Sequence, residues 1–211
     1  MKRKISVLVL IIILICSFVL ISKGDNNPII SNDLREEFIN NEYLINTKDI
    51  QIKAIDVGIY HLIQSAADKQ KSWDSSLNDF IRMKYVHRLC HSNGIELSNI
   101  NEIRQIVEEQ FYNQAIANKQ FAVEAGVTDE DLMDISMLIN TYVDENARYF
   151  SEIYVSQYVD GETLLTTDEI HRLYKQYQNE LDQVIENTKT AIDVNAHATV
   201  KKWISENNTL S

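Results

Sequence analysis

The stretch TTDEIHRLYKQYQNELDQVI, residues 166–185, indicates most clearly how this chain folds. Apolar side chains recur in it every three or four residues, which places them on one face of an α-helix. They are Ile170, Leu173, Tyr174, Tyr177, Leu181, Val184 and Ile185. Thr166 and Glu169 have the spacing of a capping box, which opens a helix. We therefore predict a long amphipathic helix from about residue 168 to about residue 207, with a break at residues 193–195.

The same helical spacing continues toward the N-terminus. It predicts helices over 47–69, 74–92, 99–117 and 129–159, with a shorter piece over 118–125. The chain has one proline and five glycines, and Gly94, Gly126 and Gly161 follow predicted helix ends, where glycine commonly terminates a helix. No stretch alternates polar and apolar residues with period two, so we predict no sheet. The predicted fold class is all-α, a bundle with two long C-terminal helices.

The N-terminal segment is apolar and follows a basic head. Lys2, Arg3 and Lys4 precede the uncharged residues 5–21, which span roughly 26 Å as a helix, near the lower limit for crossing a bilayer. This pattern predicts a single-pass anchor over 1–24 that enters the membrane through residues 5–22, with a cytoplasmic N-terminus. Two alternatives stay open, namely a cleaved signal peptide that gives a secreted protein, and lipidation at Cys16.

The rest of the chain divides into a linker and one domain. Residues 25–46 are predicted to be a linker with a possible short helix over 33–40, and residues 47–211 a helical domain. Four of the 20 basic residues lie in 1–24, so the remainder carries 16 basic and 31 acidic residues, a net charge of −15. Such a surface repels nucleic acid and anionic lipid, and we predict no nucleic-acid partner.

Residues capable of chemistry are few and scattered. His87 and His91 have the spacing of two metal ligands on one helix face, but no third ligand is evident and Arg88 replaces the glutamate of a zinc protease motif. Cys90 is the one cysteine after the apolar segment, so no internal disulfide forms there. No phosphate-binding glycine loop or nucleophile elbow occurs. We predict no catalytic residue, no metal and no cofactor.

Aromatic residues are the more informative candidates. Several tyrosines lie within the predicted helix over 129–159 and at the start of the next one. Tyrosine combines a large apolar ring with a polar tip, which suits either a core edge or an adaptable binding surface. The candidate peptide-binding residues are Phe111, Phe121, Tyr142, Tyr149, Phe150 and Tyr154.

Two stretches resemble a known module. They are LNDFIRMKYVHRLCHSNGIELSNINEIRQIVEEQF at residues 77–111 and FAVEAGVTDEDLMDISMLINTYV at residues 121–143. Their helix ends, caps and apolar spacing are similar to those of the helical chaperone module of SurA/PrsA-type extracytoplasmic foldases. The segment LLTTDEIHRLY at residues 164–174 resembles the exit from that module. In those foldases a parvulin prolyl isomerase domain follows, whereas here residues 175–211 have the pattern of one helix.

The resemblance implies the holding activity of the family without its isomerase. We expect an extracytoplasmic, membrane-anchored protein that holds unfolded or newly secreted polypeptides. The alternative is a helical ectodomain that docks one partner in an envelope or sporulation complex. An enzyme is the third possibility, either with metal at His87 and His91 or as a cryptic isomerase. Sequence leaves the oligomeric state open, as well as whether the last helix packs on the bundle or projects from it.

Overall fold

The computed structural model describes residues 43–67, 71–97, 99–113, 129–159 and 164–207. Within these ranges the chain forms a mostly helical domain with one small sheet. The elements are β1 (Tyr43–Asn46), β2 (Gln51–Lys53), α1 (Ala54–Ala67), α2 (Trp73–Ser92), α3 (Ile100–Asn113), α4 (Asp129–Arg148), α5 (Thr167–Lys189) and α6 (Val194–Asn207). A π-helical segment (Tyr149–Tyr154) and a short 3₁₀ turn (Val155–Gln157) extend α4 without interruption.

Three helix boundaries carry capping signals, and two of them, at Gly94 and at Thr166 with Glu169, confirm the predictions. The hydroxyl of Ser72 accepts a hydrogen bond from the backbone N–H of Ser75 at 3.1 Å and opens α2. Gly94 follows the end of α2 with φ of +69°, a left-handed conformation that glycine adopts without steric cost. Thr166 and Glu169 form the predicted capping box, in which each side chain bonds the other residue's backbone N–H, at 3.3 and 2.8 Å.

The prediction of no sheet was wrong. Strands β1 and β2 pair antiparallel across a tight turn that the side chain of Thr47 closes, because its hydroxyl accepts hydrogen bonds from the backbone N–H groups of Asp49 and Ile50. A register shift between Tyr43 and Ile45 breaks the alternation of the strand. Since the strands have only four and three residues, no period-two pattern developed that sequence analysis could detect.

The first helix and the domain boundary also differ from the predictions. Helix α1 begins at Ala54, whereas the spacing of Ile52, Ile55 and Ile59 had predicted a start near residue 47. Ile52 lies in β2, so its apparent helical spacing was coincidental. Strand β1 lies in the stretch that we had assigned to the linker, and it contributes fully buried side chains, so the folded domain includes β1.

The C-terminal helix returns to the N-terminal elements. Helix α6 packs against α1 and β1. Ahead of it, Ile192 pairs with Ile45 as an isolated β-bridge, and the backbone N–H of Asp193 donates to the carbonyl of Leu44 at 2.9 Å. The two ends of the described chain therefore close one module, which answers the question that the sequence had left open.

The break between the last two helices lies slightly earlier than predicted. Helix α5 ends at Lys189, and the carboxylate of Asp193 accepts hydrogen bonds from the backbone N–H groups of Asn195 and Ala196 at 2.9 and 2.8 Å. An aspartate in this position caps the N-terminus of a helix. The predicted break at 193–195 is thus the start of α6, and the turn occupies residues 190–193.

The buried side chains form two clusters. The larger one joins the hairpin, α1, the first half of α2 and the faces of α4, α5 and α6 that turn toward them, with Phe80, Ile52 and Val200 completely buried. The smaller one lies at the other end of α2. It comprises Val86, Cys90, Tyr149, Tyr154, Tyr177 and Leu181. Packing of these apolar faces is the main source of stability in this part of the chain.

Several predictions fall outside the described residues. These are the N-terminal anchor over 1–24, the short helix over 33–40, the helical piece over 118–125 and the candidate residue Phe121. None of the helices in the described ranges combines the length and the apolar character that crossing a bilayer requires.

Candidate polypeptide-binding surface

An aromatic cluster forms where the end of α4 meets the first half of α5. This aromatic cluster consists of Tyr149, Phe150, Tyr154, Tyr158, Tyr174 and Tyr177. Ring centroids of contacting pairs lie 5.0 to 6.3 Å apart, the range in which aromatic pairs attract each other. Four of the cluster's rings come from the segment that follows α4, residues 149–158, and two come from α5.

The π-helical segment determines which rings of α4 turn inward. In a π-helix the hydrogen bonds run from residue i to i+5, so residues five apart lie on one face. Tyr149 and Tyr154 have this spacing, and both are buried against Tyr177. Phe150 stacks on Tyr154 at 6.0 Å and meets the edge of Tyr174 at 5.1 Å.

Hydrogen bonds fix the polar tips of the cluster. The hydroxyl of Tyr154 donates to the carboxylate of Glu180 at 2.8 Å, and the amide of Gln176 donates to the same oxygen at 3.1 Å and to the hydroxyl of Tyr158 at 3.0 Å. Tyr177 donates to the side chain of Asn146 at 2.8 Å. Burial is the main cause that raises the pKa of Tyr154 and of Tyr177 above the ordinary value, so both phenols are neutral donors at physiological pH.

Part of this region remains open to solvent. Tyr158 is 47% exposed, Tyr174 42% and Ile170 40%, and Phe150 is half-buried. Ile170 and Tyr174 are four residues apart on α5 and therefore lie side by side on its surface. We call Phe150, Tyr158, Ile170 and Tyr174 the outer patch. Its three rings are the exposed rim of the aromatic cluster and contact the buried rings of Tyr154 and Tyr177, and Ile170 extends this rim along α5.

The candidate residues from the sequence fall into different environments. Tyr149 and Tyr154 form the base of the cluster, with 9% and 4% of their surface exposed, and they hold the outer rings in place. Phe150 belongs to the outer patch. Tyr142 is half-buried and packs against both core clusters. Phe111 lies in α3, and Phe121 lies outside the described residues.

Three residues of the outer patch were not among the sequence candidates. Tyr158 joins the cluster by direct contact with Tyr154 at 5.3 Å, whereas Tyr174 reaches Phe150 only because α5 packs there, and Ile170 lies one turn before Tyr174. Ile170 and Tyr174 were assigned to the apolar stripe of the long helix, whose spacing does not separate its buried members from its exposed ones. The buried face of α5 is centred on Leu173, Tyr177, Leu181 and Ile185. Ile170 and Tyr174 lie at the margin of this face and are therefore partly exposed.

His87 in α2 pairs with a carboxylate, whereas its spacing with His91 had suggested a metal ion as the partner. The Nδ1 atom of His87 lies 2.8 Å from the carboxylate of Glu145 in α4, and Glu145 is buried. This hydrogen bond is the main cause that raises the pKa of His87. Among the residues that the structure describes, no three potential metal ligands lie together, so His87 and His91 stay a two-residue set there.

Cys90 is a buried structural thiol. Its Sγ atom lies 3.3 Å from the backbone carbonyl of Glu145, to which it donates. Burial, the largest cause, raises its pKa to about 12. A thiol with such a pKa is protonated at neutral pH and is a poor nucleophile.

No protein-family model, no curated protein and no solved structure matches this chain. The resemblance to the foldase module stays a proposal that rests on the quoted residues.

Proposed function

We propose that this chain is a membrane-tethered, extracytoplasmic holder of unfolded or newly secreted polypeptides, and that the outer patch is its client-binding surface. The observation that carries the proposal is the set of half-exposed rings, Phe150, Tyr158 and Tyr174, fixed over a buried aromatic base. The resemblance to the foldase module supports it independently.

The physical properties of the patch suit weak and varied binding. Tyrosine rings offer a large contact area at a low cost in side-chain entropy, because each has only two rotatable side-chain bonds. An unfolded client loses conformational freedom when it binds, so most of the contact energy is offset and affinity stays low. Tethering near the site where clients emerge raises their effective concentration without any additional contact.

Aggregation assays test the proposal. We expect the full-length chain in lipid nanodiscs to suppress aggregation of a reduced, unfolded substrate, with empty nanodiscs as the blank. The double substitution Ile170→Ser with Tyr174→Ser should lower the suppression at equal concentration by roughly tenfold, because it removes two apolar contacts worth about 1.4 kcal/mol or more between them.

A matched control tests whether removal of any exposed apolar side chain lowers the suppression, or only removal of those in the outer patch. Val194 is 77% exposed at the start of α6. Val194→Ser should leave the suppression unchanged, because Val194 is not one of the residues that form the aromatic cluster or the outer patch. Absence of suppression by the wild type at a several-fold molar excess, or equal losses in both variants, would count against a client-binding role of the patch.

The second candidate function is docking of one specific partner in an envelope complex. It is favoured by the hydrogen bonds that fix Tyr154 and Tyr158 through Gln176 and Glu180, because an ordered surface suits a single complementary partner. Crosslinking in cells followed by purification separates the two functions. A holder yields many sub-stoichiometric proteins, whereas a docking protein yields one at a fixed ratio.

A further inference from the structure

One hydrogen bond joins the C-terminal helix to the start of α2 through two nitrogen atoms. The indole Nε1 of Trp73 lies 2.9 Å from the Nε2 atom of His197, although the two residues are 124 positions apart in sequence. An indole nitrogen can only donate, so Nε2 of His197 must be the unprotonated acceptor. Protonation of His197 would place two N–H groups against each other and abolish this bond.

A second histidine also contacts the same indole. The ring of His61 in α1 meets Trp73 edge-on at 5.7 Å, and the ring of His197 lies 5.8 Å from it. His61 is only 4% exposed, and its Nδ1 atom lies 2.9 Å from the hydroxyl of Ser76. Trp73 therefore contacts two imidazoles, which belong to the first and the last helix of the described domain.

We propose that Trp73, His61 and His197 form a proton-sensitive clasp, which holds α6 on α1 and α2 when both imidazoles are neutral and loosens it in mild acid. Two other contacts of α6, the buried side chain of Val200 and the backbone hydrogen bond from Asp193 to Leu44, involve no titratable group. The clasp adds to them a contact that responds to acid.

The charged groups around the clasp favour the neutral imidazoles on balance. Burial is the largest cause that lowers the pKa of both His61 and His197. Lys71, ahead of α2, lowers the pKa of His61 further, and Lys201 in α6 does the same for His197, while Asp74 in α2 acts in the opposite direction. Because the folded pKa values lie below the ordinary value of 6.5, the unfolded or opened chain binds more protons.

The direction of the pH effect follows from this difference. The contribution of the clasp is complete above the ordinary imidazole pKa of 6.5 and is lost as pH falls from there through the lowered folded pKa. His87 has the opposite behaviour, because its raised pKa stabilises the fold below 6.5 and its contribution is lost as pH rises. Acid therefore weakens the α6 contact selectively while the pair of His87 and Glu145 remains.

Hydrogen–deuterium exchange of the full-length chain in mild detergent tests the clasp. We compare amides of α6 at about pH 7.5 and about pH 5.5, on either side of the ordinary histidine pKa, after correction for the intrinsic exchange rates. In the wild type we expect protection of Val194–Asn207 to fall by roughly threefold or more at the lower pH, with a smaller change in α2 beyond its first turn.

Two variants make the result specific. In His197→Gln, a side-chain oxygen takes the place of Nε2 and accepts from Trp73 at every pH, so the acid-dependent loss of protection should shrink to less than half. In Trp73→Phe the donor is absent, so α6 should already be less protected near neutral pH and should respond less to acid. The same acid-dependent loss in the wild type and in either variant would overturn the proposal, as would a wild type whose α6 protection does not change.

Discussion

Tyr177→Ala is expected to destabilise the domain by about 3–5 kcal/mol, the range for removal of a large aromatic side chain from a core. Tyr177 is 2% exposed, and its ring contacts those of Tyr149, Phe150, Tyr154 and Tyr174. Truncation removes these contacts, leaves a cavity and deprives the side chain of Asn146 of a hydrogen bond. Urea unfolding of the full-length chain, followed by far-UV circular dichroism, measures the change.

Tyr177→Phe is the matched control for this prediction. It keeps the ring and removes only the hydroxyl that donates to Asn146, so it should cost about 0.5–1.5 kcal/mol. If the alanine variant lost no more stability than the phenylalanine variant, the aromatic cluster would not be packed as described, and the outer patch would have no rigid base.

Ile45→Ala should have the second largest effect, a loss of about 2–5 kcal/mol. The side chain of Ile45 is fully buried, and its backbone pairs with Ile52 on one side and Ile192 on the other. Strand β1 thus lies between β2 and the segment that precedes α6, so a cavity here weakens the contact that closes the two ends of the module. The same unfolding experiment measures it.

Asn46→Ala provides the control within the same strand. Asn46 is exposed, and its side-chain oxygen accepts a hydrogen bond from Gln51 at the surface. Surface changes of this kind usually alter stability by less than about 0.5 kcal/mol. Similar losses in both variants would show that β1 is not the buried central strand of this closure.

Sequence predicted the helices well because their signals are local. The hydroxyl of Ser72, the left-handed Gly94 and the capping box of Thr166 with Glu169 each act within one turn of the chain. The apolar spacing from Leu173 to Ile185 likewise identified the buried face of α5. These features depend on neighbours three or four residues away, which a single sequence displays directly.

The sheet and the contacts of the site could not be predicted in this way. A hairpin with strands of four and three residues gives too few positions for a pattern, and Ile52 also matched the helical spacing. The pairs of His87 with Glu145 and of Trp73 with His197 join residues 58 and 124 positions apart. Nothing local distinguishes Glu145 from the many solvent-exposed acids of this chain.

The candidate site could be predicted only in part, less well than the helices and better than the sheet. The aromatic residues of α4 were noticed because tyrosine is frequent there, but their division into a buried base and an exposed rim depends on the π-helical segment and on the position of α5. An ordinary α-helix over 149–154 would have turned a different set of rings inward. Local composition indicated the region, and only the packing distinguished Tyr154 from Phe150.

Site-specific photocrosslinking tests the central claim most directly, namely that the outer patch contacts unfolded polypeptides. A photoreactive phenylalanine analogue replaces Tyr174 in one variant and Val194 in another, and both are irradiated with an unfolded, reduced client. The account predicts client adducts at position 174 and few or none at position 194, with the adducts at 174 diminished by Ile170→Ser. Adducts of equal yield at both positions, or none at 174, would contradict it.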